Sequence, residues 1–203
     1  MFVDCEQDNV RGVYELLISA VVPRPIAWVS TRSEDGVDNL APFSFFNVFS
    51  AAPPILGFAP GLKRMPGNGE FVLKDTLKNI IDTEEFVVNM VSADLAQKMV
   101  QSSANYAADE SEFDATKLAR QASLKVKPPR VADAKISMEC KLFQIIDFGA
   151  SRLVLGRIVC IHVDESIIHD GQIDNEKLRP VARLGGDLYA EIRDIFSIPR
   201  PTI

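Results

Sequence analysis

The sequence has few of the residues that build disulfide frameworks or metal sites. Among 203 residues there are three cysteines and two histidines, and no CxxC pair occurs. Cys5, Cys140 and Cys160 are far apart, so neither disulfides nor a zinc site is indicated, and we expect three buried thiols. His162 follows Ile158 and Cys160 in an alternating run. This pattern predicts an interior-facing histidine with satisfied hydrogen bonds rather than a metal ligand.

Long apolar runs and clustered positive charge are also missing. No segment is long and apolar enough to cross a bilayer, and residues 1–10 contain Asp4, Glu6 and Asp8 where a signal peptide would be basic and then apolar. The net charge of −6 argues against a broad nucleic-acid interface. We therefore expect one globular domain over residues 1–203, located in the cytoplasm, with no membrane and no nucleic-acid partner.

Several sequence signatures of catalysis are absent. The chain contains no GxSxG, no HExxH, no P-loop and no GxGxxG that joins a strand to a helix. These absences exclude the commonest hydrolase, metalloprotease and nucleotide-binding motifs. No catalytic side chain and no metal ligand is predicted.

The N-terminal half has the pattern of β-structure. Residues 26–31 are rich in β-formers and precede the turn Asp35-Gly36, which predicts a hairpin. Further strands are expected over residues 47–50, 55–59 and 86–91. After Pro128-Pro129, the runs 136–148 and 152–163 flank a Gly-Ala-Ser turn and predict a long second hairpin.

Three short helices are expected between and after these strands. Leu77 and Ile80 recur at helical spacing behind Asp75-Thr76, and a second helix is expected after Ser92. Residues 187–196 have a spacing that predicts a third helix. The irregular segment 101–130 is long for a compact domain and is interpreted as a lid or a dimer arm, in part helical.

Two segments are candidates for binding a ligand. In residues 39–47, amide and hydroxyl groups alternate with aromatic rings, and Pro42 limits regular pairing, so the segment suits a planar ring with a polar edge. At Lys74-Asp75-Thr76, a helix start combines free N–H groups, a hydroxyl and an ammonium, which suits a phosphate. Taken alone, each is also explained by an aromatic core or by ordinary helix capping.

A third segment makes the sequence recognisable. The run 24–31, RPIAWVST, is followed by Gly36, by residues 39–47, NLAPFSFFN, and by Pro53-Pro54. Lys74-Asp75-Thr76 follows in the same order, and the later matches are Asn79-Ile80, residues 85–89, Pro128-Pro129-Arg130, Glu139-Cys140 and residues 183–189, RLGGDLY. In this order the chain resembles the FMN-binding split-barrel proteins of the flavin reductase-like family.

The resemblance implies a mainly β fold, a Greek-key split β-barrel with a few peripheral helices and a core of about residues 20–190. It implies a homodimer with one FMN at each subunit interface. By motif, the phosphate and ribityl end is assigned to Ser30, Thr31, Lys74, Asp75 and Thr76, with Arg24 as a further candidate. The isoalloxazine is assigned to Asn39, Ala41, Ser44, Phe45 and Asn47. Where relatives often have a Gly-Leu-Thr-like sequence, this chain has Lys117-Leu118-Ala119.

The function implied is that of an FMN-dependent oxidoreductase, in the simplest case one that reduces flavin with NADH or NADPH and supplies an oxygenase. FMN accepts the electrons in such chemistry, which agrees with the absence of a catalytic side-chain set. Two alternatives stay open: a flavoprotein that keeps its FMN and passes electrons to another substrate or protein, and a module that binds or senses FMN without turnover. Lys63-Arg64 is a possible contact for dinucleotide phosphates, and solvated surface charge is the alternative.

Overall fold

The structure, a computed structural model, describes residues 2–6, 10–64 and 69–202. Its strands are β1 Arg24–Pro25, β2 Ala27–Arg32, β3 Asp38–Phe43, β4 Phe46–Ala51, β5 Pro54–Phe58, β6 Lys63–Arg64, β7 Phe71–Val72, β8 Glu85–Met90, β9 Arg120–Gln121, β10 Arg130–Val131, β11 Ile136–Asp147, β12 Arg152–Val163, β13 Ile168–His169, β14 Gln172–Ile173, β15 Val181–Arg183 and β16 Tyr189–Glu191. Its helices are α1 Val10–Ala20, α2 Asp75–Thr83, α3 Ala96–Gln101, α4 Glu112–Ala115 and α5 Asn175–Leu178, with 3₁₀ turns at Ala93–Leu95 and Glu165–Ile167.

One antiparallel sheet of seven strands forms the body of the protein, in the order β3-β2-β8-β11-β12-β5-β4. The predicted hairpin at residues 33–36 joins β2 to β3, and Gly36 takes the positive φ of +88° that its turn requires. The predicted long hairpin joins β11 to β12. The mainly β prediction is confirmed, and so are the predicted helices at α2 and α3.

The core lies on both faces of this sheet. On the inner face, the ring of Phe58 contacts that of Phe43 in a tilted geometry and that of Phe86 edge-on, at centroid distances of 5.1 and 5.6 Å. Gly156 is required there, because a Cβ at this position would lie 2.2 Å from the Phe86 ring. On the outer face, Trp28 is fully buried and donates its indole N–H to Ser102 Oγ at 2.9 Å.

The segment 101–130 packs against the seven-stranded sheet of the same chain. Phe113 and Leu118 are buried in the same cluster as Trp28, because these apolar side chains cover the outer face of β2. Phe113, Leu118 and Val126 therefore anchor the segment to the core, while residues 119–122, 124 and 125 between them are exposed. Ser102 to Tyr106 line the cleft described below.

Two expectations were wrong here, and a third, for His162, was wrong as well. Residues 187–196 contain strand β16 instead of a helix, because Ala190 pairs with Ala182 of β15, and Ile195 and Phe196 are exposed. Cys5 is exposed and Cys160 is half-buried, so Cys140 alone is a buried thiol. Helix α1 has an apolar side that was not recognised as helical in the sequence. No described helix is long and apolar enough to span a membrane.

The side chain of His162 does not lie on the inner face of the sheet, where the sequence predicted it. Ile158 pairs with Cys140 but Cys160 pairs with Glu139, so two steps along β12 match one step along β11. This bulge places Ile158 on the inner face and Cys160 with His162 on the outer face. The histidine is satisfied, as predicted, because Nε2 lies 2.6 Å from the buried Glu139 carboxylate.

Candidate functional site

A cleft lies between the edge strand β3 and the first turn of α2, and we call it the β3–α2 cleft. The side chains on its wall that matter here are Asn39, Ala41, Lys63, Lys74, Thr76 and Glu112. Strand β3 is paired on one side alone, so its free edge faces the cleft. Helix α2 is anchored by Leu77 and Ile80, which are buried, and this packing turns its N-terminus towards the cleft.

The cationic side of the cleft is built by Lys74 and Lys63. Lys74 is the N-cap of α2 and makes no side-chain cap hydrogen bond. Its ammonium lies 5.4 Å from the centroid of the Phe43 ring, and no carboxylate within the described residues forms an ion pair with it. Burial, and then the charge of Lys63, lower the pKa of Lys74. An anion that entered the cleft would relieve both effects.

A buried polar network forms the floor of the cleft, with Asn39 at its centre. The Asn39 Oδ1 accepts from Thr76 Oγ1 at 2.8 Å and from Thr31 Oγ1 at 3.3 Å. Asn79 Nδ2 donates to Thr31 Oγ1 at 3.0 Å, and Asn39 Nδ2 donates to Glu112 Oε1 at 2.7 Å. Four elements are thus held in fixed positions beside the helix N-terminus.

Glu112 is the acidic member of this network. Its second carboxylate oxygen accepts from the backbone N–H of Leu40 at 2.8 Å, and the side chain is buried. Burial raises the pKa of Glu112 to about 6, although its hydrogen bonds with Leu40 and Asn39 act in the opposite direction. A carboxyl with a raised pKa therefore lies in the wall of the cleft that also contains Lys63 and Lys74.

The raised pKa of Glu112 makes stability depend on pH. The folded pKa of about 6 exceeds the ordinary value of 4.5, so the contribution of Glu112 to folding is fully present below pH 4.5 and declines as the pH rises through 6. A shift of this size corresponds to about 2 kcal/mol. We expect the free energy of unfolding of Glu112→Gln, relative to the wild type, to improve by about this amount between pH 4 and pH 7.5. Urea denaturation at both pH values measures the change, and a pH-independent difference would contradict it.

A second cleft lies on the other side of Pro42, and we call it the arginine cleft. Its wall includes Tyr14, Arg24, Ser44, Met99, Arg183 and Tyr189, and Pro42 lines both clefts. The guanidinium of Arg24 donates to the carbonyls of Val21 at 2.7 Å and Leu184 at 3.0 Å, and Nε lies 3.4 Å from Ser44 Oγ. Burial, and then the charge of Arg183, lower the pKa of Arg24.

The predicted site residues are divided between these places. Asn39, Ala41, Lys74, Asp75 and Thr76 line the β3–α2 cleft, and Thr31 lies behind them. Ser30 is on the opposite face of β2, where its hydroxyl donates to the Pro129 carbonyl at 2.5 Å. Arg24 and Ser44 line the arginine cleft. Phe45, on the β3–β4 connection, and Asn47, on β4, are exposed.

Sequence reasoning missed four residues of these clefts. Glu112 contacts Asn39 across 73 positions, and the local sequence gives no sign of that contact. Tyr14 belongs to the unrecognised helix α1, and Tyr189 to the strand that was expected to be helical. Arg183 lay within a matched motif, but no role was assigned to it. Its guanidinium stacks on the Tyr189 ring at 4.5 Å and donates to the Tyr189 hydroxyl.

Comparisons with known proteins agree with this architecture. An uncharacterized protein of Aquifex aeolicus is 41% identical over 191 residues, with 94% of each chain covered. Nitrilotriacetate monooxygenase component B from Bacillus cereus has a TM-score of 0.91 at 33% identity, over 98% of each chain. The 2-nitrobenzoate 2-nitroreductase NbaA of Pseudomonas fluorescens has a TM-score of 0.88 at 34% identity, over 100% of this chain and 97% of the other.

The fold is therefore the split barrel that the sequence predicted. The family model for the flavin reductase like domain matches residues 19–177, which include both clefts apart from Tyr14, Ile18, Arg183 and Tyr189. With this match over most of the sequence, the chain belongs to the flavin reductase-like family.

Proposed function

We propose that this chain is an FMN-dependent oxidoreductase whose simplest reaction is the reduction of flavin by NADH or NADPH. The β3–α2 cleft is the observation that supports the proposal most directly. Lys74 has no ion-pair partner in the described part of the chain, and the first-turn N–H groups of Asp75 and Thr76 have no acceptor there. The ammonium of Lys74, the helix N-terminus and the ammonium of Lys63, which lies 3.8 Å from the Asp75 carboxylate, fit the phosphate of FMN.

The two clefts adjoin at Pro42, and this arrangement fits the rest of the cofactor. FMN is elongated, with a phosphate at one end and a planar ring at the other. Pro42 lines both the β3–α2 cleft and the arginine cleft, whose wall contains aromatic side chains. The ring would lie along Ala41 to Ser44, with Phe45 and Asn47 at its far side. Thr31 and Asn79 hold Asn39 in place from behind. Ser30 is left out of the proposed phosphate site, because it is buried on the outer face of β2 and its hydroxyl donates to the Pro129 carbonyl.

Bound FMN would supply the electron-accepting ring, and the residues of this chain would orient it and set the local charge. Arg24 and Arg183 place positive charge in the arginine cleft, which favours the anionic form of any group that gains electrons there. Glu112 holds Asn39 and can keep or release a proton near neutral pH. The described residues need to provide no nucleophile.

A homodimer would complete the ring site. Val48 and Phe49 of the edge strand β4 are 56% and 58% exposed, next to Phe45 at 43%. Such an apolar edge is suited to burial against a second copy. Light scattering should give about twice the chain mass of 22.4 kDa, and a strict monomer that binds FMN tightly would contradict the shared site.

The arginine cleft favours a second candidate, a flavoprotein that keeps its FMN and reduces an organic acid. The partly exposed guanidinium of Arg183, beside Tyr14 and Tyr189 and with the buried charge of Arg24 behind it, fits a carboxylate on an aromatic body. One similar protein, NbaA, is described as a 2-nitrobenzoate 2-nitroreductase, and another as the component of a monooxygenase. In the leading candidate, the reduced flavin instead passes its electrons to a separate oxygenase or another electron-transfer partner.

Anaerobic reduction distinguishes these functions. The purified protein is loaded with FMN and mixed with NADH or NADPH, and the loss of flavin absorbance is followed. Rapid bleaching supports the oxidoreductase, whereas no bleaching by either dinucleotide favours an electron carrier or an FMN-sensing module. The bleached protein is then mixed with free FMN or with 2-nitrobenzoate. Reoxidation by free FMN supports flavin reduction, and reoxidation by the nitroaromatic acid supports the second candidate.

A further inference from the structure

Three side chains of types that can bind a metal ion converge on the outer face of the sheet, away from both clefts. Glu139 of β11 is fully buried, and Cys160 and His162 of β12 are half-buried. Their ligand atoms all lie within 4.8 Å of one another. Glu139 pairs with Val87, and Val87 pairs with Ser30, so this cluster shares the face of Ser30, whereas Thr31 points towards the β3–α2 cleft.

One nitrogen of His162 faces both other groups. Nε2 lies 2.6 Å from Glu139 Oε1 and 3.5 Å from Cys160 Sγ. In a nucleophile relay, the thiol and the carboxylate bond to different ring nitrogens, so this arrangement does not activate the thiol in that way. Three donor atoms directed at a single point are instead typical of a metal site.

We propose that Glu139, Cys160 and His162 form a binding site for one Zn²⁺ ion. A thiolate, an imidazole and a carboxylate are the three ligand types that zinc takes in proteins, and sulfur disfavours Mg²⁺ and Ca²⁺. At ordinary zinc bond lengths, a histidine nitrogen and a cysteine sulfur in a tetrahedral site lie about 3.5 Å apart. The observed separation of 3.5 Å meets this requirement without movement.

The carboxylate must move a little to complete the site. Nitrogen and oxygen ligands of tetrahedral zinc lie about 3.3 Å apart, so Glu139 and His162 would separate by about 0.7 Å when the ion replaces the proton between them. The thiol of Cys160 gives up its proton as well, so binding releases up to about two protons. The half-buried edge of the cluster leaves the fourth position to water.

The site would join a loop to the sheet. The Glu139 carboxylate accepts the backbone N–H groups of Leu124 and Lys125, at 2.7 and 2.5 Å. These bonds already fix the loop before Pro128 to β11, and zinc would connect the same carboxylate to β12. The ion therefore has a structural role, independent of the proposed redox function.

The sequence offers a matched control for two of the three ligands, because its other histidine is the exposed His169 and Cys5 is an exposed thiol. Purified full-length protein is stripped with a chelator and titrated with Zn²⁺ against a colorimetric zinc indicator. We expect one equivalent bound by the wild type, Cys5→Ser and His169→Ala, and affinity at least about tenfold lower in Cys160→Ser and His162→Gln.

Cobalt provides a second readout that does not depend on the His162 variant folding. Addition of Co²⁺ to the wild type should give a thiolate-to-cobalt charge-transfer band that Cys160→Ser lacks and Cys5→Ser keeps. Zinc should also raise the thermal midpoint of the wild type more than that of Cys160→Ser. The absence of stoichiometric binding, or an equal loss of zinc and of the cobalt band in Cys5→Ser, overturns the site.

Discussion

Replacement of Lys74 by alanine is expected to weaken FMN binding ten- to hundredfold while it changes folding stability little. The ammonium has no ion pair in the described part of the chain, and burial and Lys63 already lower its pKa, so a bound phosphate would be its principal partner. Loss of one hydrogen bond to a charged group costs about 1.5–3 kcal/mol. In the apoprotein, its contact with the Phe43 ring is worth about 0.5–1 kcal/mol.

Flavin fluorescence titration measures this loss, with riboflavin as the ligand that lacks the phosphate. Lys78→Ala is the matched control, because Lys78 is exposed on the same helix and lies one turn further along. Riboflavin binding should be nearly the same in the wild type and in Lys74→Ala. If Lys74→Ala weakens riboflavin and FMN equally, the phosphate does not bind at the N-terminus of α2.

The Asn39→Ala variant is expected to lose about 2–4 kcal/mol of folding stability at pH 8 and most of its flavin affinity. The substitution removes the donor that faces Glu112 and the acceptor shared by Thr31 and Thr76, and each unsatisfied buried group costs about 1–3 kcal/mol. With one lowering hydrogen bond gone, the pKa of Glu112 rises above its value of about 6.

The loss should therefore be larger at pH 8, where Glu112 is ionised without its amide partner, than at pH 5, where it is protonated. Urea denaturation at both pH values measures it. Asn105→Ala is the control: Asn105 lines the same cleft, is exposed, and makes no side-chain hydrogen bond with the other described residues. Equal losses at both pH values would mean that the pKa of Glu112 does not depend on its hydrogen bond with Asn39.

The sequence predicted the parts of this fold that local pattern determines. The β2–β3 hairpin follows from its Asp-Gly turn, and the β11–β12 hairpin from two β-rich runs around Gly149. Strand β16 could not be predicted in this way, because Leu188 and Ile192 have helical spacing and the strand forms through its pairing with β15. Tertiary pairing overrides local spacing in such short segments.

The candidate site also combines residues that a local motif indicates with residues that only the tertiary fold brings together. Lys74, Asp75 and Thr76 are adjacent in sequence and lie together at a helix start, so a motif could indicate them. Glu112 reaches Asn39 only after the segment 101–130 has packed on the sheet, and no local pattern encodes that contact. The side of β12 on which His162 lies depends on a single bulge at residue 159, which alternation alone cannot reveal.

The position of the cleft on an edge strand determines how the protein opens. Strand β8 is paired on both sides and buried, whereas β3 is paired with β2 alone. Amide hydrogens of β8 should therefore exchange with solvent through near-global unfolding, and those near the free edge of β3 through small local openings. A ligand at this edge would slow amide exchange around the cleft without changing the exchange rates of the slowest amides. Cofactor uptake and release can therefore proceed while the barrel core stays closed.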